Sequence, residues 1–94
     1  MKKEELINDM SLMLMYLSNW DEKSDDEHNF DLPKCDDGKV HKAWKGYSFD
    51  TINALKEKRY IKDGYGKAPN IFYQEGIDAA KALLKKYGIA VPNE

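Results

Sequence analysis

The strongest constraint on the fold is an apolar periodicity in residues 3–20, which predicts one long amphipathic helix. Its apolar side chains recur at intervals of three and four residues: Leu6, Met10, Met13, Leu14 and Leu17. Acidic residues are concentrated in the first turns, where they interact favourably with the positive end of the helix dipole. A chain of 94 residues forms one small domain, so this apolar face is expected to be buried in its core.

Two further helices and a hairpin are predicted downstream. Ser48 is a candidate N-cap for a helix that runs to about Lys58, and a final helix starts at about Gln74. Between them, two apolar runs flank a segment with two glycines and a proline, which predicts a two-stranded hairpin over residues 60–73. Residues 40–47 are interpreted as a single helical turn that Gly46 ends.

This order of elements predicts a mainly α fold with a small two-stranded β-hairpin, arranged like a winged helix-turn-helix. An isolated hairpin is marginally stable in water, so it must pack against the helices. Residues 1–94 are expected to form a single domain in which residues 63–70 are the wing. The predicted core combines the apolar face of the first helix with the large apolar residues that follow: Leu6, Met10, Met13, Leu14, Leu17, Trp44, Phe49, Ile52, Leu55, Ile61, Phe72, Ile77, Leu83 and Leu84.

Charge is distributed unevenly along the chain. Residues 21–38 contain eight acidic and two basic residues, a net charge of −6, whereas the remaining residues carry +4. This segment lacks periodicity, and Phe30 and Leu32 are its only large apolar residues. It is interpreted as an acidic, mobile insert at 21–38 whose deletion leaves the domain folded.

Two blocks of sequence resemble known families. The segments Leu55–Ile61 and Phe72–Gly76, together with Lys67, resemble the helix–wing–helix half of bacterial regulators of the MarR and PadR kind. The block Ala43–Asp50 resembles more closely a family of small uncharacterised bacterial domains. The resemblance implies a winged-helix fold in a bacterial protein and no particular activity. Where the pattern usually has glycine after the presented helix, this chain has Arg59, so either Arg59 has a strained backbone with positive φ or the turn is different.

The resemblance suggests duplex DNA as a partner. In a winged helix, the helix predicted over Ser48–Lys58 would be the one presented to DNA. The residues expected to contact DNA lie on this helix and on or beside the wing: Asn53, Lys56, Lys58, Lys62, Tyr65 and Lys67. Lysines bind phosphates and asparagine can read adenine, but the pI of 5.7 is far below the value of about 9 typical of such domains. The alternative is a protein–protein interaction or dimerisation module with no DNA binding, in which the first or last helix forms a homodimer. Both interpretations stay open at this stage.

Catalytic, metal and membrane functions have no pattern in their favour. The sequence lacks a nucleophile elbow, a phosphate-binding loop and a dinucleotide fingerprint, so we expect no enzyme, no catalytic residue and no cofactor. The spacing of His28, Cys35 and His41 fits no zinc motif, so we expect no metal. A single cysteine, no apolar run of spanning length and no signal-peptide core together predict a cytoplasmic protein without a membrane partner.

Overall fold

The computed structural model describes residues 2–64 and 66–92. Within that part of the chain, three helices and four strands form an α+β fold. The elements in chain order are α1 (Lys3–Ser18), β1 (Trp20–Lys23), a 3₁₀ turn (Glu27–Asn29), β2 (Lys39–Ala43), α2 (Phe49–Glu57), β3 (Ile61–Lys62), β4 (Asn70–Phe72) and α3 (Gln74–Lys86). No helix in these two ranges has both the length and the apolar character that crossing a membrane requires; a cytoplasmic location stays a prediction.

The prediction of a mainly α winged helix with a two-stranded hairpin is wrong. The hairpin exists, with Ile61 opposite Phe72, but β4 also pairs with β2 and β2 pairs with β1, so the antiparallel sheet has the order β1-β2-β4-β3. The outer edge of β4 is therefore hydrogen-bonded to β2, and β2 in turn to β1. The sequence pattern predicted neither β1 nor β2. Strand β1 lies at the edge and carries charged side chains, as edge strands commonly do.

Helix α1 turns a different face to the core from the one its periodicity predicts. Leu12 is 1% exposed and Met15 is fully buried, and both belong to the core that α1 forms with α2, α3 and the sheet. Met13 is also buried as predicted. The other four residues of the predicted face are exposed: Leu6, Met10, Leu14 and Leu17. Because α1 is apolar around most of its circumference, periodicity alone does not select the buried side.

The other residues predicted for the core differ in burial according to the element in which they lie. Those in the later helices and strands are confirmed as buried: Leu55, Ile61, Phe72, Ile77 and Leu84. Ile52 and Leu83 pack against this core from its border. Trp44 and Phe49 are exposed, so their assignment to the core is wrong. Trp44 directly follows β2, and Phe49 is the first residue of α2, so both lie where the chain passes from β2 to α2.

The acidic segment 21–38 is integrated into the domain. Its first three residues belong to β1, and Asn29 in the 3₁₀ turn is fully buried, donating from Nδ2 to Glu22 Oε1 and to the Lys23 carbonyl. Phe72 faces the helices, so its neighbour Ile71 points to the opposite face of the sheet. Ile71 is nevertheless 3% exposed, and Leu32 lines the same small cavity. The segment therefore covers the second face of the sheet.

Local backbone signals agree well with the structure. The Ser48 hydroxyl accepts a hydrogen bond from Thr51 N at 3.2 Å, which confirms it as the N-cap of α2. Gly88 has a φ of 69°, the left-handed conformation expected just past the end of α3. Arg59 has a φ of 62°, so the first of the two alternatives for this position, a strained backbone with positive φ, is the one observed. This conformation is uncommon for a residue with a Cβ atom.

Candidate functional site

The most unusual surface feature is the side of α1 that faces solvent. We call it the α1 outer face, and it consists of Leu6, Ile7, Met10, Leu14 and Leu17. Their side chains are between 38% and 57% exposed. The opposite side of the same helix is buried against α2 and α3. A helix that is apolar all round is normally covered on both sides, so the outer face lacks a partner within the described part of the chain.

An apolar groove runs beside the α1 outer face, with a volume of about 330 Å³. Helix α1 contributes one wall, and the other comes from Tyr47, Leu84 and Ile89. Ile89 is 45% exposed, which extends the apolar surface beyond α1. None of the side chains lining the groove is charged. The groove and the outer face together form a continuous surface suited to an apolar partner.

The residues predicted to bind nucleic acid do not form one surface patch. Lys56 and Lys62 line a common cavity, whereas Lys58 is outside it, with Nζ 6.0 Å from the centre of the Tyr60 ring. Lys67 is exposed in the connection between β3 and β4. Asn53 is half-buried on α2 and does not line the cavity, and Tyr65 lies outside the described residues. Of the five predicted residues that the structure describes, two are thus brought together, Lys56 and Lys62.

The cavity that holds Lys56 and Lys62 also contains a residue that the sequence analysis did not place in a site. Arg59 lines it, with the guanidinium carbon 5.5 Å from the centre of the Tyr73 ring. Asp63 lies at the same cavity and is paired from outside by Lys45, whose Nζ is 3.0 Å from Oδ1. The hydrogen bond from Lys45 is the largest cause that lowers the pKa of Asp63. The sequence signal for this location was an arginine at a position where the resembled pattern usually has glycine.

A second polar cluster joins α1 to β2. His41 Nδ1 lies 2.8 Å from Asn19 Oδ1, and His41 Nε2 lies 2.7 Å from Asp37 Oδ2. Burial acts to raise the pKa of Asp37, but the hydrogen bonds from His41 and from Lys39 N outweigh it, so the pKa is lowered. This arrangement holds the end of α1, β2 and the turn before β2 in a fixed relation.

Cys35 lies close to this cluster and has the properties of a structural residue. Its side chain belongs to the core, and Sγ is 3.8 Å from the Phe72 carbonyl oxygen. Burial, followed by the nearby carboxylates, raises the pKa of the thiol to about 11, so the nucleophilic thiolate is rare at neutral pH. In residues 2–64 and 66–92, no group of three or more His, Cys, Asp or Glu side chains is placed to hold a metal ion.

Comparison with known proteins provides a family but no activity. No curated protein and no solved structure matched the chain. A family model described as a domain of unknown function, DUF6429, matches residues 3–90, which is nearly the whole sequence. A relationship to the MarR and PadR regulators stays a prediction. The chain belongs to the DUF6429 family of domains of unknown function.

Proposed function

We propose that this protein is an interaction module that forms a homodimer through the α1 outer face. The observation that carries the proposal is the exposure of five large apolar side chains on a helix whose other side is buried. Isolated exposed apolar residues are common, but a continuous stripe beside an apolar groove is typical of an interface. Of the two predicted functions, this is the one that the geometry favours.

The charge pattern of α1 favours a second copy of the chain as the partner. A symmetric dimer places the same surface patch of each protomer against itself, so charged residues near its centre meet like charges. Residues 10–18 contain no charged side chain, and none lines the adjacent groove. Self-association through this surface therefore involves no like-charge repulsion at its centre.

The spacing of the α1 outer face also suits helix-to-helix packing. Leu6, Met10, Leu14 and Leu17 follow one another at intervals of four, four and three residues. Such intervals place the side chains in one row along the helix, and rows of this kind interlock when two helices pack against each other. Two α1 helices can therefore interdigitate along most of their length.

The apolar surface that the α1 outer face can bury on association predicts a weak but measurable dimer. Full burial of such a side chain is worth about 1.5–3 kcal/mol, so each half-exposed one contributes about 1 kcal/mol. Ten side chains from two protomers supply roughly 10 kcal/mol, and association costs at least about 4 kcal/mol. The balance of at most about 6 kcal/mol corresponds to a Kd of tens of micromolar or weaker.

Sedimentation of the purified protein across about 5–500 µM brackets this Kd and tests the proposal. We expect the wild type to change from monomer to dimer, and Leu14→Lys to stay monomeric throughout. Phe30→Lys is the matched control, because it introduces the same charge at an apolar residue that is 75% exposed and outside the α1 outer face. A monomeric wild type at the highest concentration, or a Leu14→Lys variant that dimerises normally, would show that the proposal is wrong.

Duplex DNA binding has less in its favour. The prediction depended on a helix and a free wing that project from the domain, whereas β4 pairs on both sides within the sheet. Lys56 is also partly engaged, with its Nζ 3.5 Å from Asp63 Oδ2. The net charge of −2 further opposes association with a polyanion.

A further inference from the structure

A basic cavity lies between the end of α2, strand β3 and the start of α3, away from the α1 outer face. It has a volume of about 450 Å³, large enough for a small ligand. Three cationic residues border it: Lys56, Arg59 and Lys62. The cavity is independent of the proposed dimer, because none of its lining residues belongs to α1 or to the apolar groove.

The positive charge in this cavity exceeds what the protein itself neutralises. Asp63 is the one carboxylate among the lining residues, and it already accepts Lys45 at 3.0 Å from outside the cavity. Its second oxygen lies 3.5 Å from Lys56 Nζ. In the described parts of the chain, Arg59 and Lys62 are not in an ion pair with any carboxylate. The Arg59 guanidinium is thus left at the cavity without a counter-charge, and Lys62, which also borders the cavity on the Ile71 side of the sheet, is a second cation without one.

Arg59 occupies a backbone position that would favour glycine. Its φ of 62° is costly for a residue with a side chain, and such strained residues concentrate at functional sites. The guanidinium lies over the Tyr73 ring at 5.5 Å, which orients it at the cavity wall. A guanidinium held in this way presents parallel N–H donors that match two oxygens of a phosphate group.

We propose that the cavity lined by Lys56, Arg59 and Lys62 binds a phosphate group. Phosphate fits better than a carboxylate because its multiple charges and oxygens can engage several cations at once. Arg59 supplies the bidentate contact, and the two lysines supply further positive charge at the border of the cavity. The group can belong to a small phosphorylated molecule or to a nucleic-acid backbone, and both sources are compared in the test.

The test is a calorimetric titration of the full chain at low salt with pyrophosphate and, separately, with random-sequence duplex DNA. We expect saturable binding of pyrophosphate and a loss of about tenfold or more in Arg59→Gly. Because glycine relieves the strain at this position, the same variant should melt at a higher temperature than the wild type. Lower affinity together with higher stability is a combination that a merely structural arginine does not produce.

Two further variants complete the design. Lys62→Gln should weaken pyrophosphate binding several-fold, whereas Lys86→Gln, an exposed lysine near the end of α3, should leave it unchanged. If duplex DNA competes with pyrophosphate and shows the same Arg59 dependence, the phosphate source is a nucleic acid; if pyrophosphate alone binds, it is a small molecule. Absence of pyrophosphate binding, or equal affinity in Arg59→Gly, overturns the proposal. Duplex binding that Arg59→Gly leaves unchanged lies elsewhere on the protein and excludes a nucleic acid as the source of the phosphate at this cavity.

Discussion

Substitution by alanine should have different effects at Leu12 and Leu14, which lie two residues apart on α1. Leu12 is 1% exposed, whereas Leu14 is 55% exposed. In Leu12→Ala, the lost apolar contacts and the resulting cavity should lower the free energy of unfolding by about 2–5 kcal/mol. A loss of about 3 kcal/mol corresponds to a fall in Tm of roughly 12–24 °C for a domain of this size.

Leu14→Ala should leave the stability of the monomer almost unchanged. Surface substitutions usually alter the free energy of unfolding by less than about 0.5 kcal/mol, and alanine is the best helix former. Its effect should appear instead in the dimer, where both protomers lose about 1 kcal/mol each, so the Kd should rise by about 30-fold. The same substitution therefore tests packing at one position and association at the other.

Urea unfolding followed by circular dichroism distinguishes these effects when it is repeated at two protein concentrations. At about 5 µM, below the expected Kd, only Leu12→Ala should differ from the wild type. At about 500 µM the wild type should gain stability by mass action, and Leu14→Ala should gain less. Equal destabilisation of both variants at the lower concentration would refute the assignment of the buried face of α1.

Three other outcomes follow from the same structure. Replacing residues 25–33 with a short glycine linker should lower the free energy of unfolding by more than about 2 kcal/mol in a urea titration, because Ile71 and the partners of Asn29 lose their cover; unchanged stability would instead support the mobile-insert interpretation. The hydrogen bond from Trp20, followed by those from Lys42 and Asn29, lowers the pKa of Glu22 from 4.5 to about 2. The Glu22 carboxylate therefore contributes its full stabilisation above the pKa of the unfolded chain, and this stabilisation is lost as the pH falls towards 2. Thermal melts should show a shallower acid dependence over this range in Glu22→Gln, and an identical pH profile would contradict the assignment. Gly76→Ala should lower Tm despite the higher helix propensity of alanine, because its Cβ atom would overlap the Tyr60 carbonyl oxygen; a raised Tm would show that this close approach is absent.

Features that depend on neighbouring residues along the chain could be predicted from the sequence. The N-cap of α2 at Ser48 follows from side-chain capping, and the left-handed backbone at Gly88 from the absence of a Cβ atom. The span of α3 follows from the helical spacing of its apolar residues. The β3–β4 hairpin was also predictable, because its apolar runs flank a turn rich in glycine. These signals act over a few residues and need no knowledge of the rest of the fold.

The strand pairings beyond that hairpin could not be predicted in the same way. Strand β1 has the sequence Trp20–Lys23, in which three of four residues are charged, and it shows no alternation of apolar and polar side chains. It is held by pairing with β2, whose residues Val40 and Ala43 are buried on opposite faces of the sheet. Burial on both faces removes the alternation that normally identifies a strand. Long-range pairing therefore decided the fold class.

The same distinction between local signals and long-range packing applies to the candidate sites. The sequence by itself determined that α1 is an apolar helix and that residues 56–62 are basic. Only the tertiary structure decided which side of α1 is buried, and it did so because Leu12 and Met15 meet the core while Leu14 does not. It also decided that Arg59 shares a cavity with Lys62. Periodicity specifies which residues share a face of a helix, but the elements packed against that helix determine which face remains available to a partner.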